Sequence, residues 1–188
     1  MFEPFLMLFF GLIVLLITVS IIYNTVKLGI SPMPSSKKAY IAMMQLADDT
    51  GSGTIIDLGS GWGNFVIGIA KKFPHRKIVG YELSYLPWLT SSLLKKAYGL
   101  KNLTLYRQNF YQADLSEASV LVCYLFPEAM IKISNKLQLE QSNIQFLISN
   151  NFALPKSEPL KKIQLNDFYN SPVYLYKMSE LYSLNLEK

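Results

Sequence analysis

The sequence predicts an α/β domain: a doubly wound, mostly parallel seven-stranded sheet with a C-terminal antiparallel hairpin, preceded by one N-terminal transmembrane helix. Three observations lead there. Short β-branched runs alternate with stretches of helical periodicity, the pattern of a parallel sheet covered on both faces. The first of those runs ends in an acid and a glycine-rich turn, DLGSGWG. The chain also opens on FLMLFFGLIVLLITVSIIY, a run without a charged residue.

That run comes first. The composition, 51% hydrophobic and 16% charged, is apolar for a soluble domain, and the excess is concentrated here. From Pro4 to Val26 there is no Asp, Glu, Lys or Arg, and a helix crossing a bilayer core needs about 20 apolar residues. A cleaved signal peptide would carry a positive leading segment and a small-residue cleavage site. The segment MFEP holds Glu3 and no base, and NTVKLGISPMP offers no A-x-A pattern. Residues 1–26 are therefore read as a retained anchor. Lys27, Lys37 and Lys38 just beyond it orient the rest toward the cytoplasm, on a bacterial inner membrane or, in a eukaryote, a mitochondrial one. The single Cys123 agrees with a reducing compartment. A net charge of +5 spread over scattered lysines gives no basic arm for nucleic acid.

Residues 27–38 form a Pro, Ser and Lys connector, extended before Pro32 and Pro34. The domain proper is assigned to residues 39–188. SKKAYIAMMQLADD has helical spacing and is stopped by TGSG. TIIDL is a buried strand, WGNFVIGIAKKF a helix ended by Pro74, and KIVGYEL a second strand. SYLPWLTSSLLKKAYGL is a helix with Ser84 as cap and Gly99 as stop. LTLYRQN and ASVLVCYLF follow as strands, PEAMIKISNKLQ as a helix opened by proline, and NIQFLISNN as a strand. LKKIQLND and VYLYKMS, joined by FYNSP, close the chain as a hairpin.

In such a sheet, ligands bind beyond the carboxyl ends of the strands, where strand order reverses. A dinucleotide fingerprint would read G-x-G-x-x-G, with phosphates over the helix start. Here the spacing is G-x-G-x-G, through Gly59, Gly61 and Gly63, with Asn64 next. Asp57, two residues before the first glycine, suits a ligand bearing an ammonium group better than a pyrophosphate. S-adenosylmethionine is such a ligand. Glu82, 25 residues after Asp57 at the end of the second strand, can accept hydrogen bonds from ribose hydroxyls.

On these residues the chain resembles the class I S-adenosylmethionine-dependent methyltransferases, over roughly Ser35 to Ser179. DLGSGWGNFVIGIA, GYELSYLPWL, YLFPEAMIKISNKL and ISNNFALP further resemble a family of membrane-anchored lysine methyltransferases, which modify the adenine nucleotide translocase and the c subunit of ATP synthase and have bacterial relatives. The resemblance implies a cofactor-binding set of Asp57, Gly59, Ser60, Gly61, Gly63, Glu82, Leu83, Asn109 and Phe110. It also implies a membrane or membrane-adjacent protein substrate presenting a lysine side chain. Two departures stand out. Trp62-Gly63-Asn64 replaces the usual Asp-Gly-Arg, and Asn109 stands where an acid commonly binds the adenine amino group; its carbonyl can still accept that bond.

Methyl transfer from a sulfonium needs placement above all, and a lysine acceptor must arrive neutral. The acceptor slot is expected after the fourth strand, at Tyr124, Phe126, Pro127 and Glu128. Tyr124 and Phe126 either line a channel, as aromatic faces attract cations, or pack in the core. Glu128 favours its own helix start or orients an amine. His75 falls at the amino end of the sheet, Cys123 in the core and Trp88 on a packing face, while Trp62 either shields the ligand or packs. No His/Cys metal spacing is present. A lipid or quinone-like acceptor, or a non-catalytic binding module, are the competing functions.

Overall fold

The computed structural model describes residues 5–12, 14–15, 18–19, 35–139 and 144–179. The chain divides into two compact units, Met1–Met33 and Pro34–Lys188. In the first, the described residues are helical, and side chains such as Phe5, Met7 and Leu8 are exposed. Among the described residues no helix is long and apolar enough to cross a membrane. Much of the span expected over residues 1–26, and most of the connector, lie outside the described residues.

The second unit opens with α1 (Lys37–Asp48), capped by the Ser36 hydroxyl, which accepts from the Ala39 N–H. Lys37 and Lys38 thus stand in the first helix. Then come β1 (Ile55–Leu58), α2 (Asn64–Lys72), β2 (Ile78–Tyr81), α3 (Tyr85–Ala97) and β3 (Leu103–Tyr106). A single 3-10 turn at Phe110–Gln112 precedes β4 (Val120–Cys123), α4 (Pro127–Leu139) and β5 (Phe146–Asn150). β6 (Lys161–Gln164) and β7 (Pro172–Lys177) close the chain. The order across the seven-stranded sheet is β3-β2-β1-β4-β5-β7-β6. β1 to β5 pair in parallel, while β7 runs antiparallel to both β5 and β6. The expected mixed sheet with its closing hairpin is what forms.

Alternation along each strand builds two cores. Ile55, Ile78, Leu103, Val120, Val122 and Ile148 face α1 and α2, where they meet Leu46, Val66 and Ile69. On the other face Met130 of α4 brings its sulfur to 3.7 Å from Cys123 Sγ and 3.8 Å from Ser149 Oγ. A buried arginine ties the amino edge together. Arg76 donates through Nε to the Gly53 carbonyl at 2.8 Å, and through the guanidinium to Ala47 O and Thr50 Oγ1. It thereby fastens the end of α1 to the entry of β1. Asn102 does similar work beside it, its amide shared among the carbonyls of Ala70, Phe73 and Arg76.

Two central strands are shorter than the apolar runs that encode them. KIVGYEL yields only Ile78–Tyr81, and Glu82 beyond it turns its carboxylate to the N–H groups of Gly61 and Ser84. ASVLVCYLF yields Val120–Cys123, which frees Tyr124 to Phe126 for the loop. Both give up their last residues at the carboxyl edge, where the loops gather.

Candidate active site

Strand order reverses between β1 and β4, so the loops after these neighbouring strands leave the sheet side by side. Leu58 and Cys123 are register partners; the glycine loop and the Tyr124–Glu128 segment follow them directly.

Asp57 precedes the last residue of β1 and is 7% exposed. Burial, aided by the negative charge of Glu82, pushes its carboxyl up to about 7. Such a group favours a cationic partner, whose charge would offset the cost of ionising it. The loop beyond it is set by backbone. Gly59, Gly61 and Gly63 all have positive φ, at 92°, 53° and 85°. The first two would project a Cβ into open space, whereas a Cβ on Gly63 would lie 2.6 Å from Ser91 Cβ on α3. Gly63 is therefore there for packing as well as turning, and Gly59 and Gly61 leave the backbone approachable from outside.

Glu82 and Leu83 follow β2. The Glu82 carboxylate accepts from the Gly61 N–H at 2.9 Å and from the Ser84 N–H at 2.7 Å. It ties the glycine loop to the start of α3, a bond that spacing does not reveal. Each oxygen keeps acceptor capacity for a further donor. Ser60 Oγ is buried and has no hydrogen-bond partner. Asn109 caps the 3-10 turn, its Oδ1 accepting from the Tyr111 N–H at 3.0 Å. Phe110 is buried with its ring 4.3 Å from that of Tyr111. The residues expected to bind the cofactor thus lie near the carboxyl end of β1 and on the loops that follow β1, β2 and β3.

At the other side of the reversal, Tyr124 and Phe126 are half-buried and share a third aromatic residue, Phe152. Phe152 stacks with Tyr124 at 6.1 Å and 21°, and meets Phe126 at 5.6 Å and 58°. Sequence reasoning missed it as a site residue, though Asn-Asn-Phe directly after a strand beside β4 was the available signal. Its position is tightly held. The Asn151 N–H donates to Pro172 O, the Phe152 N–H to Asn150 O, and the Leu154 N–H to the Tyr176 hydroxyl. Asn150, 3% exposed, ends β5 beside it; its amide donates to Ser35 Oγ and its Oδ1 is without a partner.

Pro127 and Glu128 are at the first turn of α4, where Glu128 is exposed. Cys123 is buried, and its thiol is pushed up to about 12 by burial, so it is inert at neutral pH. His75 is exposed in the turn before β2, at the amino edge. Trp88 donates to Leu105 O at 3.4 Å. Trp62 is exposed on the glycine loop.

A glycine turn behind a buried acid at the reversal point of a seven-stranded sheet with an antiparallel closing strand defines a class I S-adenosylmethionine-dependent methyltransferase. The chain belongs to the family described as the ANTKMT methyltransferase domain, whose model matches residues 57–161, over half of the chain. It is 27% identical over 151 residues to a protein-lysine N-methyltransferase of Saccharolobus islandicus (strain REY15A), covering 79% of this chain and 93% of that protein. It is 31% identical over 110 residues to the human lysine N-methyltransferase of the ATP synthase C subunit, covering 57% of this chain and 46% of that one. The chain thus spans less than half the length of that human relative. Among solved structures, an RNA methyltransferase from Salinibacter ruber in complex with S-adenosyl-L-homocysteine superposes with a TM-score of 0.69 at 26% identity, covering 77% of this chain and 93% of that chain. The protein is an enzyme of this class, and its cofactor is S-adenosylmethionine.

Proposed function

We propose that the protein is a membrane-anchored protein-lysine N-methyltransferase whose acceptor is a membrane or membrane-adjacent protein. The observation that carries the reading is the aromatic group of Tyr124, Phe126 and Phe152 beside the glycine loop. The activity of the Saccharolobus relative, matched over most of its length, supports it. The apolar run of residues 5–23 supports the anchor and, with Lys27, Lys37 and Lys38 following it, a cytoplasmic orientation.

The residues divide the task. Asp57 would accept the ammonium group of the cofactor, whose charge would favour its ionised form. Gly59 and Gly61 admit the ligand against bare backbone. Glu82 would take the ribose hydroxyls while holding the loop, and Asn109 and Phe110 would border the adenine. When bound, S-adenosylmethionine supplies an electrophilic methyl group on its sulfonium. Tyr124, Phe126 and Phe152 receive the lysine stem and remove water from its amine. Desolvation lowers the ammonium pKa, so the amine sheds its proton to solvent and presents a lone pair. Placement in line then accounts for most of the rate enhancement.

Two other acceptors stay in contention. An aromatic slot on a tethered enzyme also suits a lipid or quinone-like molecule, and the Salinibacter protein is an RNA methyltransferase. The full chain, incubated with methyl-labelled cofactor and fractions from a strain lacking it, separates them. Label recovered as methyl-lysine in membrane protein is the expected result. Label confined to the organic extract or to RNA contradicts the proposal.

A further inference from the structure

The β6–β7 hairpin ends in the most exposed aromatic pair among the described residues. Phe168 is 92% and Tyr169 82% exposed, and their rings touch edge to face at 5.1 Å. Neither stabilises the sheet, since the turn is already closed by other bonds: the Leu165 N–H donates to Ser171 O, and the Ser171 N–H to the Asp167 carboxylate. Two large apolar rings held on a closed turn and left in water call for an occupant.

Topology says which side of the domain they face. β6 is parallel in direction to β5, because both run antiparallel to β7. The turn between β6 and β7 therefore lies at the carboxyl edge of the sheet, on the same side as the glycine loop and Tyr124. The start of α1 lies at that edge too. Ser35 accepts from the Asn150 amide at the end of β5, and Lys38 Nζ donates to the Asn166 carbonyl in the hairpin turn. Residues 35–38, with which the described part of the domain begins, thus stand beside the hairpin turn that carries Phe168 and Tyr169.

We propose that Phe168 and Tyr169, with Lys37 and Lys38, form a second membrane contact, seated in the interface of an anionic bilayer. This rests on the reading of residues 1–26 as an anchor. Aromatic side chains favour the headgroup level, and lysines just beyond an apolar segment favour anionic lipid. A lone tether leaves a domain free to tumble. A second contact at the carboxyl edge turns the aromatic slot toward the membrane surface and restricts acceptors to lysines held near it.

The test uses the full chain in phosphatidylcholine/phosphatidylglycerol vesicles, with a nitroxide at one introduced cysteine in turn: Phe168→Cys, Tyr169→Cys, Leu8→Cys and, at the opposite edge, His75→Cys. Cys123 is buried with its thiol strongly protonated and does not compete for label. Collisions with oxygen and with a water-soluble nickel chelate read depth. The expected result is a several-fold rise in the oxygen-to-nickel ratio at positions 168 and 169 over position 75, together with deep burial at position 8. Burial at position 8 with positions 168 and 169 as aqueous as 75 overturns the contact while leaving the anchor standing. Position 8 as aqueous as 75 overturns the anchor, and this proposal with it.

Discussion

Asp57 sets a pH dependence that runs opposite to that of a salt-bridged acid. Its carboxyl rises from 3.8 to about 7 on folding, through burial and the charge of Glu82. The folded chain therefore holds that proton more tightly than the unfolded one. The stability tied to it is complete below pH 4 and is lost as pH rises through 7. At about 1.4 kcal/mol per unit, the swing is on the order of 4 kcal/mol. Asp57→Asn removes it, so urea unfolding of the detergent-solubilised chain should show the variant gaining on the wild type from about pH 5 to pH 8. The same substitution should weaken cofactor binding roughly 10- to 100-fold, the loss of a charged hydrogen bond. Calorimetry in buffers of different ionisation heat should detect proton release on binding at about pH 6 and little from this group at about pH 8.

The glycines separate two roles at the same scale. Gly63→Ala meets both a φ of 85° and Ser91 at 2.6 Å, and should cost about 2–4 kcal/mol of stability. Gly61→Ala meets only the φ, about 1–2 kcal/mol, and should lose cofactor affinity while remaining folded. Thermal unfolding beside calorimetry distinguishes them. Asp57 and the glycine spacing were legible in the sequence because the chemistry there is written in adjacent letters. Ser91 was not, because its role is to approach a glycine that lies 28 residues away in the chain.

At the scale of elements, periodicity located the helices and strands of the sheet domain within the described residues, and misjudged where the strands stop. A strand ends when its residues take up other partners, as when the Glu82 carboxylate takes the N–H groups of Gly61 and Ser84. No local pattern encodes that exchange. Phe152 belongs to the same class of oversight: it reaches Tyr124 and Phe126 only because β5 pairs with β4. Phe152→Ala should lower turnover roughly 10- to 100-fold through acceptor misplacement, with cofactor affinity nearly unchanged; steady-state kinetics and calorimetry check both halves. Arg76 is the pin between α1 and β1. Arg76→Met leaves the carbonyls of Gly53 and Ala47 without this donor and should cost about 2–3 kcal/mol, read by urea unfolding, with cofactor binding retained by the folded fraction.

For the whole molecule, one edge of the sheet concentrates everything that bears on function. The glycine loop, the aromatic group, the start of α1 and the exposed hairpin tip all lie at the carboxyl ends of the parallel strands. The apolar run, the sheet and the glycine loop were readable in the sequence, each from contiguous stretches. The grouping of α1 entry, hairpin and slot came from topology, since residues 35, 150 and 166 meet only after the sheet has formed. The central claim is transfer of a methyl group to a lysine amine at the site organised by Asp57. Its most direct test is peptide mass spectrometry of membrane proteins from three strains: one with the intact chain, one lacking it, and one carrying Asp57→Ala. A methyl-lysine present in the first and absent from the other two is the predicted result; identical lysine methylation in all three would contradict it.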